Sequence, residues 1–210
     1  RTGLDISAPF YWNIAPNIDA TIKARGMSKR GVMINNEIRY KTTGRFSTNG
    51  GLYYDIIPHD KVTGENRNRL IFEHSGSFAG IPGWSYGFNY NRVSDNLFMR
   101  DLGKGLKVTS RTQLLQQARL AYSSKFGETG MIRFSAQAQQ FQTVQDPARP
   151  AAAPYKKLPE LLLSATQRDV LGLDLDLKAS YAEFAHVDEK RDPNKVAGKR
   201  YTFFPNISKP

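Results

Sequence analysis

Residues 32–41 read VMINNEIRYK, and apolar and polar side chains alternate along most of this segment. Successive side chains of a β-strand point to opposite faces, so a strand here has one largely apolar and one strongly polar face. The apolar set is Ile34, Ile38 and Tyr40, and the polar set is Asn35, Glu37, Arg39 and Lys41. Because we find no helix or second sheet in the sequence to cover the apolar face, we predict that lipid covers it.

The same alternation recurs along the chain in runs of roughly ten residues, which is typical of strands. It predicts about eleven strands, over residues 5–14, 19–27, 32–43, 52–58, 69–77, 84–93, 113–126, 131–144, 159–167, 173–185 and 199–205. Helix propensity allows a helix over residues 111–124 as an alternative, but the neighbouring segments favour a strand there. No run of about 18 apolar residues, as a membrane-spanning helix requires, occurs in the chain.

The connections between the predicted strands are of two kinds. Short turns are expected at residues 15–17, 28–31, 79–83, 127–130 and 168–172, and long polar loops at 59–68, 94–109, 145–157 and 188–198. Outer-membrane barrels have short periplasmic turns and long extracellular loops, and residues 28–31 are then a short external hairpin. Eleven strands alone would leave two unpaired edges in hydrocarbon, and bacterial single-chain barrels have even strand numbers. We therefore expect residues 1–210 to be a portion of one larger barrel domain.

The charge balance is basic, with 30 Lys and Arg residues against 19 Asp and Glu residues and a net charge of +11. This excess is explained either by a solvated basic surface or by attraction for phosphate-bearing partners. Cysteine is absent, which excludes a disulfide framework and thiolate metal sites within these residues. Many aromatic residues lie opposite the charges, whereas a nucleic-acid stacking surface interleaves the two on one face. We therefore expect no nucleic-acid partner.

Groupings typical of catalysis are absent from the sequence. The three histidines, His59, His74 and His186, are far apart in the sequence and belong to no His-Glu-x-x-His motif. No Gly-x-Ser-x-Gly or Walker motif occurs either. His74 is better explained as a hydrogen-bonded residue of a barrel wall than as part of a hydrolase site. Asp174 and Asp176 share a strand face with Lys178, and we interpret them as polar lining neutralised by basic neighbours. We predict no enzyme activity, no cofactor and no metal site.

An unusual feature of the first predicted strand is its proline. Residues 8–17 read APFYWNIAPN, with Pro9 inside an otherwise good strand pattern. Proline has no N–H to give to a neighbouring strand, so it belongs at a sheet edge or at a weakened seam. If the strand instead begins at Phe10, Pro9 merely precedes it, and the residues themselves leave both alternatives open.

This run, together with DAT at residues 19–21, resembles the signature PYYWNIAPNxDAT of the lipopolysaccharide-assembly outer-membrane barrels, the LptD family. Phe10 stands where the family more often has tyrosine. Four further segments match the family in the same order: MSKRG at 27–31, NEIRY at 36–40, YNRVSD at 90–95 and LPEL at 158–161. The matches cover nearly the whole chain.

The resemblance implies an all-β fold, a partial transmembrane antiparallel β-barrel with about eleven strands of a larger, 26-stranded barrel. The family's periplasmic jelly-roll domain and its C-terminal strands are then absent from residues 1–210. Family members insert lipopolysaccharide (LPS) into the outer leaflet through a lateral gate between the first and last strands. Expected partners are LPS, the plug lipoprotein LptE, outer-membrane lipid and, through the jelly roll, periplasmic LPS-bridge proteins. The expected location is the outer membrane of a Gram-negative bacterium.

Two groups of residues are candidate functional sites. The resemblance matches Pro9 to the gate proline of the second barrel strand and assigns a short segment to the lateral gate: Pro9, Phe10, Tyr11, Trp12 and Asn13. Alternation predicts four cations that face the barrel lumen: Lys23, Arg25, Arg39 and Lys41. Their role is either to contact LPS phosphates or to balance luminal acids such as Asp19 and Glu37.

Two other functions share parts of this pattern. A passive outer-membrane porin or uptake channel has the same strand alternation, but it conducts solutes without a plug lipoprotein. A soluble β-sandwich binding module has alternating strands too, but it stays monodisperse without detergent. Partitioning into detergent therefore separates the membrane hypotheses from the soluble one.

Overall fold

A computed structural model of the chain describes residues 2–44, 46–78, 80–103, 112–144, 152–186, 192 and 194–209. These residues form eleven strands and one short helix, α1 (Phe98–Leu102), which lies between β6 and β7. The strands are β1 (Asp5–Ala15), β2 (Ile18–Met27), β3 (Gly31–Thr42), β4 (Phe46–Ile57), β5 (Arg67–Phe78), β6 (Trp84–Val93), β7 (Gln113–Phe126), β8 (Gly130–Thr143), β9 (Lys156–Val170), β10 (Leu173–Ala185) and β11 (Gly198–Ser208). No helix in this part of the chain combines the length and apolar character that crossing a membrane requires.

All eleven strands belong to one sheet in which each strand pairs antiparallel with the next along the chain. Over the described ranges, β1 and β11 each have a neighbour on one side only. The all-β antiparallel sheet expected from alternation is therefore confirmed. The alternative helix over residues 111–124 is wrong, because β7 occupies this segment.

The largest error in strand bounds concerns β4, which begins at Phe46 and not at residue 52. Two consecutive glycines, Gly50 and Gly51, make residues 46–51 look like a break in a strand. In the structure the side chain of Tyr40 lies over Gly50, and a Cβ on Gly51 would stand 2.9 Å from the ring of Tyr53. The two tyrosine rings thus fill the space that the missing side chains leave, and the strand continues through the glycines.

Short and long connections alternate as predicted. The turn at residues 127–129 and the one at 171–172 lie at one edge of the sheet, and the connection over 58–66 and the described residues 94–103 lie at the other edge. The short hairpin at 28–30 is on the long-loop edge. The predicted loops at 94–109, 145–157 and 188–198, and the predicted turn at 79–83, each include residues outside the described ranges. Within the first of these loops α1 forms, which the sequence patterns do not predict.

One face of the sheet is apolar across neighbouring strands. Ala20, Ile38, Leu52, Phe72 and Tyr90 are paired in register from β2 to β6. The side chains that we expected to contact lipid lie on this face as well, and they are half-buried or exposed: Ile34, Ile38, Leu120 and Phe134. Over the described residues no helix or second sheet covers this face, so it is open to an external apolar phase.

A small apolar core lies at the long-loop edge, mostly on the polar face of the sheet. Its buried members come from α1, from the strand ends and from residue 144: Met27, Met33, Ile57, Val93, Phe98, Met99, Leu102, Leu114 and Val144. We call this group the loop-edge core. Burying each large side chain of this kind contributes roughly 1.5–3 kcal/mol. This burial explains why a five-residue helix is stable here: it covers apolar ends of strands that are otherwise polar on this face.

Candidate functional site

The five candidate gate residues lie in the middle of β1. Pro9 pairs with Lys23 of β2 and has four strand residues before it, so the alternative that the strand begins at Phe10 is wrong. Lacking an N–H, Pro9 leaves one place in β1 where the backbone cannot donate to a neighbouring strand. The geometry thus places a weakened position within a strand that has one open edge in the described sheet.

The aromatic residues of the same segment are directed to both faces of the sheet. Phe10 is paired with Ile22 and Trp12 with Ala20 on the apolar face, while Tyr11 lies on the polar face. The exposed fractions of Phe10, Tyr11 and Trp12 are 62%, 58% and 53%, far larger than those of aromatic residues in a packed core. Asn13 is exposed on the polar face. A strand edge with these residues can contact an amphipathic molecule that has both an apolar and a polar part.

A buried ion-pair network lies beside the loop-edge core. Arg67, 2% exposed, binds both carboxylate oxygens of Asp95 at 2.7 and 2.8 Å, Asp60 at 2.9 Å and Asp101 at 3.3 Å. Arg30 binds Asp60 at 2.5 Å and Asp101 at 3.1 Å. We call these five residues the Arg67 network. It joins three connections at the long-loop edge, and because each buried charge has a partner, burial is tolerated.

The loop carboxylates of this network have lowered pKa values. Burial opposes ionisation of Asp60, but hydrogen bonds from the Val62 N–H and from Arg67 and Arg30 outweigh it, so the pKa of Asp60 lies below its ordinary value. Burial also opposes ionisation of Asp95, and the hydrogen bond from Arg67 lowers the pKa of that carboxyl in the same way. Both carboxylates are therefore charged at neutral pH, and the network is intact there.

Arg25, one of the four predicted luminal cations, is 4% exposed and links β1 to α1. Its guanidinium binds Asp5, at the start of β1, with Nη2 2.6 Å from Oδ2 and Nε 2.9 Å from Oδ1. Its Nη1 donates to the backbone carbonyl of Leu102 at 2.8 Å. Arg25 therefore holds the loop-edge end of the candidate gate strand against the last residue of α1.

The other three predicted cations also lie on the polar face. Lys23 is half-buried and sits level with Pro9 in the register of β1 and β2. Arg39 binds Asp19 at 2.8 Å and Glu37 at 3.6 Å, and its side chain is 51% exposed. Lys41 is exposed. The structure therefore groups these cations on one face but gives Arg25 and Arg39 carboxylate partners within the chain.

Asp174, Asp176 and His74, which the sequence predicts to be polar residues of the barrel wall, all have hydrogen-bonding or ion-pair partners in the structure. Asp174 and Asp176 both bind Arg168, at 3.2 and 3.0 Å, so a basic neighbour neutralises them, although that neighbour is not Lys178. His74 lies on the apolar face, where the hydroxyls of Tyr40 and Tyr86 contact its two ring nitrogens. As expected, His74 is a hydrogen-bonded residue of the sheet wall.

Three further cations on the polar face were not among the candidate site residues predicted from the sequence: Arg119, Arg133 and Lys178. They lie on β7, β8 and β10. Alternation alone identifies their face, but only the pairing of strands shows that they line one groove. Lysine and arginine are common on polar strand faces, so no motif distinguished these three from other basic residues.

Comparison with known proteins identifies the family. The model of the LptD family, described as LPS transport system D, matches residues 66–210, which is more than half of the chain. The chain belongs to the LptD family. Its sheet is accordingly part of an outer-membrane β-barrel of a Gram-negative bacterium, with the apolar face toward lipid and the polar face toward the lumen.

Three curated LptD relatives match the whole chain. They are the LPS-assembly proteins LptD of Nitrosomonas eutropha, Nitrosospira multiformis and Nitrosomonas europaea, at 48%, 45% and 43% identity. The matches cover all of this chain and 27%, 22% and 28% of the respective relatives. The chain thus spans about a quarter of the length of these relatives.

Proposed function

We propose that the chain is a portion of a single LptD barrel domain that inserts LPS into the outer leaflet of the outer membrane through a lateral gate. In this proposal β1 is the second barrel strand, next to the seam between the first and last strands. The observation that carries it is Pro9, which lies inside β1 and not before it. The relatives named LPS-assembly proteins support the substrate class.

A proline next to the seam suits a gate for physical reasons. A backbone hydrogen bond contributes about 0.5–1.5 kcal/mol in water, and an unsatisfied group in hydrocarbon costs several kcal/mol. Opening a seam that lacks one backbone N–H donor therefore costs less free energy than opening a seam with all of its hydrogen bonds. Acyl chains of LPS then pass through the open seam along Phe10 and Trp12, while sugars and phosphates stay on the luminal side with Tyr11 and Asn13.

Luminal cations near the seam complete this proposal. Lys23, level with Pro9, and Lys41 are the members of the predicted set best placed for charge-assisted contacts to LPS phosphates. Arg25 and Arg39 bind carboxylates, which favours the alternative role of balancing luminal acids. We retain all four as luminal residues and assign phosphate contact first to the two lysines.

A wide barrel that transports LPS needs a partner that closes its lumen and partners that deliver LPS to it. A plug lipoprotein, LptE, closes the lumen to solutes, and periplasmic LPS-bridge proteins deliver LPS through a jelly-roll domain. Transport of this kind needs no catalytic step by the barrel. The alternative, a passive porin, has no plug lipoprotein and predicts steady solute conductance of the full-length protein, whereas the proposed translocon with its lipoprotein bound predicts a closed pore.

The test is Pro9→Ala in the full-length protein, expressed in cells together with its lipoprotein. Alanine restores an N–H, which strengthens the seam by about 1 kcal/mol and slows LPS delivery about fivefold. Surface LPS then falls and sensitivity to large antibiotics rises. Pro16→Ala, in the turn after β1, is the matched control and leaves both readouts unchanged. Unaltered surface LPS and antibiotic sensitivity in Pro9→Ala cells, at equal barrel levels, contradict the gate role.

A further inference from the structure

Two of the cations missed from the sequence flank one serine on the luminal face. Arg133 of β8 is paired with Ser123 of β7 on one side and with Ser164 of β9 on the other. Ser164 is in turn paired with Lys178 of β10. Neighbouring strands lie about 4.8 Å apart, so the Cα atoms of Arg133 and Lys178 are roughly 10 Å apart. Side chains of this length can converge on a single group between them.

Arg119 of β7 extends this cluster into a groove. The groove has a volume of about 490 Å³ and is lined on the luminal side by the three cations and by hydroxyl groups: Arg119, Arg133, Lys178, Ser135, Ser180 and Thr202. We call the three cations the luminal patch. Its members are all exposed, so a ligand in the lumen can reach them.

The luminal patch differs from other basic residues of the same face in its partners. Arg39 binds Asp19, and Arg168 binds Asp174 and Asp176. In the described ranges of the chain, none of the three patch cations has an ion-pair partner. Like charges held close together on one face of a sheet repel each other, and an anion that binds between them removes this repulsion.

We propose that the luminal patch is a binding site for phosphorylated sugars. The planar guanidinium groups can donate two parallel hydrogen bonds to one phosphate, the lysine adds a point charge, and the surrounding hydroxyls suit sugar hydroxyls as well as phosphate oxygens. The physiological ligand, the phosphorylated saccharide of LPS, rests on the proposed transport function. The patch lies on β7 to β10, several strands away from β1, so it is a separate site from the gate.

The experiment places a photo-crosslinking amino acid at Ser164, between two patch cations, in the full-length protein with its lipoprotein in cells. We expect the probe at Ser164 to capture LPS. Arg133→Gln with Lys178→Gln reduces this capture at least tenfold, because both charge-assisted contacts to the phosphate are lost. The matched control is Lys29→Gln with Lys61→Gln, which removes two exposed loop charges at the far edge and leaves capture unchanged.

A second probe at Tyr11 separates failure of this site from failure of transport. Capture of LPS at Tyr11 but not at Ser164 contradicts the proposed binding site at the luminal patch and leaves the gate proposal standing. Absence of LPS capture at both positions contradicts both proposals. Capture of the lipoprotein in place of LPS at Ser164 makes the patch a protein contact and overturns it. Undiminished capture of LPS at Ser164 in the variant with Arg133→Gln and Lys178→Gln also overturns the proposed site.

A competition with the otherwise unsubstituted protein does not depend on how the double variant folds. Purified barrel–lipoprotein complex carrying the Ser164 probe is mixed with labelled LPS and then with phosphorylated or dephosphorylated lipid A saccharide. We expect only the phosphorylated saccharide to prevent capture. Equal competition by both saccharides excludes phosphate recognition.

Discussion

The luminal face over β1 to β5 and the luminal face over β7 to β10 come from the same alternation but handle positive charge differently. In the first region the arginines bind carboxylates of the chain, as in the pairs Arg25–Asp5 and Arg39–Asp19 and in the Arg67 network. In the second region the luminal patch lies among hydroxyl groups. The arginines named in the first region hold strands and loops together, whereas the three patch cations of the second region remain available to a ligand, although Arg168 of β9 binds Asp174 and Asp176 there.

Burial explains why Arg25 and Arg67 have partners. α1 and the loop-edge core cover the first region at its long-loop edge, so Arg25 and Arg67 are removed from water and require partners. The groove of the second region is open, and an exposed cation is stable there without a partner because water solvates it. The fold thus separates a structural part of the luminal wall from a part suited to binding.

The largest effect is expected for Arg67→Ala. It leaves Asp60, which is fully buried, without one of its two arginine partners, and breaking a buried pair in this way costs about 3–5 kcal/mol. We expect loss of heat-resistant migration of the full-length barrel and rapid proteolysis near α1. Arg168→Ala, which removes an exposed arginine from its ion pairs, is the control and has a much smaller effect. Similar losses in both variants would remove the distinction between the two regions.

A smaller effect is expected for Arg25→Gln, which tests whether α1 holds β1, the strand proposed to form the gate. The substitution removes the charged contacts to Asp5 and weakens the link to Leu102, a loss of about 1.5–3 kcal/mol. Amide hydrogen exchange should accelerate at the start of β1 and across α1. Lys23→Gln, two residues away on the same face, is the control and leaves exchange unchanged. Equal protection of β1 in Arg25→Gln and the native chain contradicts the link.

Acidification should have the smallest effect over most of the pH range and should act on the first region alone. The pKa values of Asp60 and Asp95 are lowered on folding, so their contribution is complete above the ordinary value of 3.8 and is lost as pH falls through the lower folded values. Exchange near α1 should therefore be constant from pH 7 to about pH 5 and rise only below about pH 4. Loosening of α1 that begins near neutral pH would show that other groups control it.

Much of the fold can be predicted because side-chain alternation is a local property of strands. The pattern at residues 32–41 identifies β3 and both of its faces, and β6, β7 and β10 have the bounds that the pattern predicts. The start of β4 was missed because Gly50 and Gly51 look like a break, and the rings that cover them are contributed by Tyr40 on the adjacent strand and Tyr53 on the same strand.

The candidate sites were predictable to different degrees. Pro9 is recognisable as an exception within a regular strand, and the polar positions of Lys23 and Lys41 follow from the alternation. The partners of Arg25 could not be foreseen, because Asp5 is 20 residues away and the Leu102 carbonyl is 77 residues away. The luminal patch likewise depends on the register between β7, β8, β9 and β10.

By itself the amino-acid sequence determined the antiparallel strands, their two faces and the family signature, since each of these is encoded within a few neighbouring residues. Only the tertiary structure decided which cations bind carboxylates and which remain available, since that choice depends on which strands and loops meet in space. Alternation selects the face of a side chain, whereas strand register and the position of α1 select its neighbours.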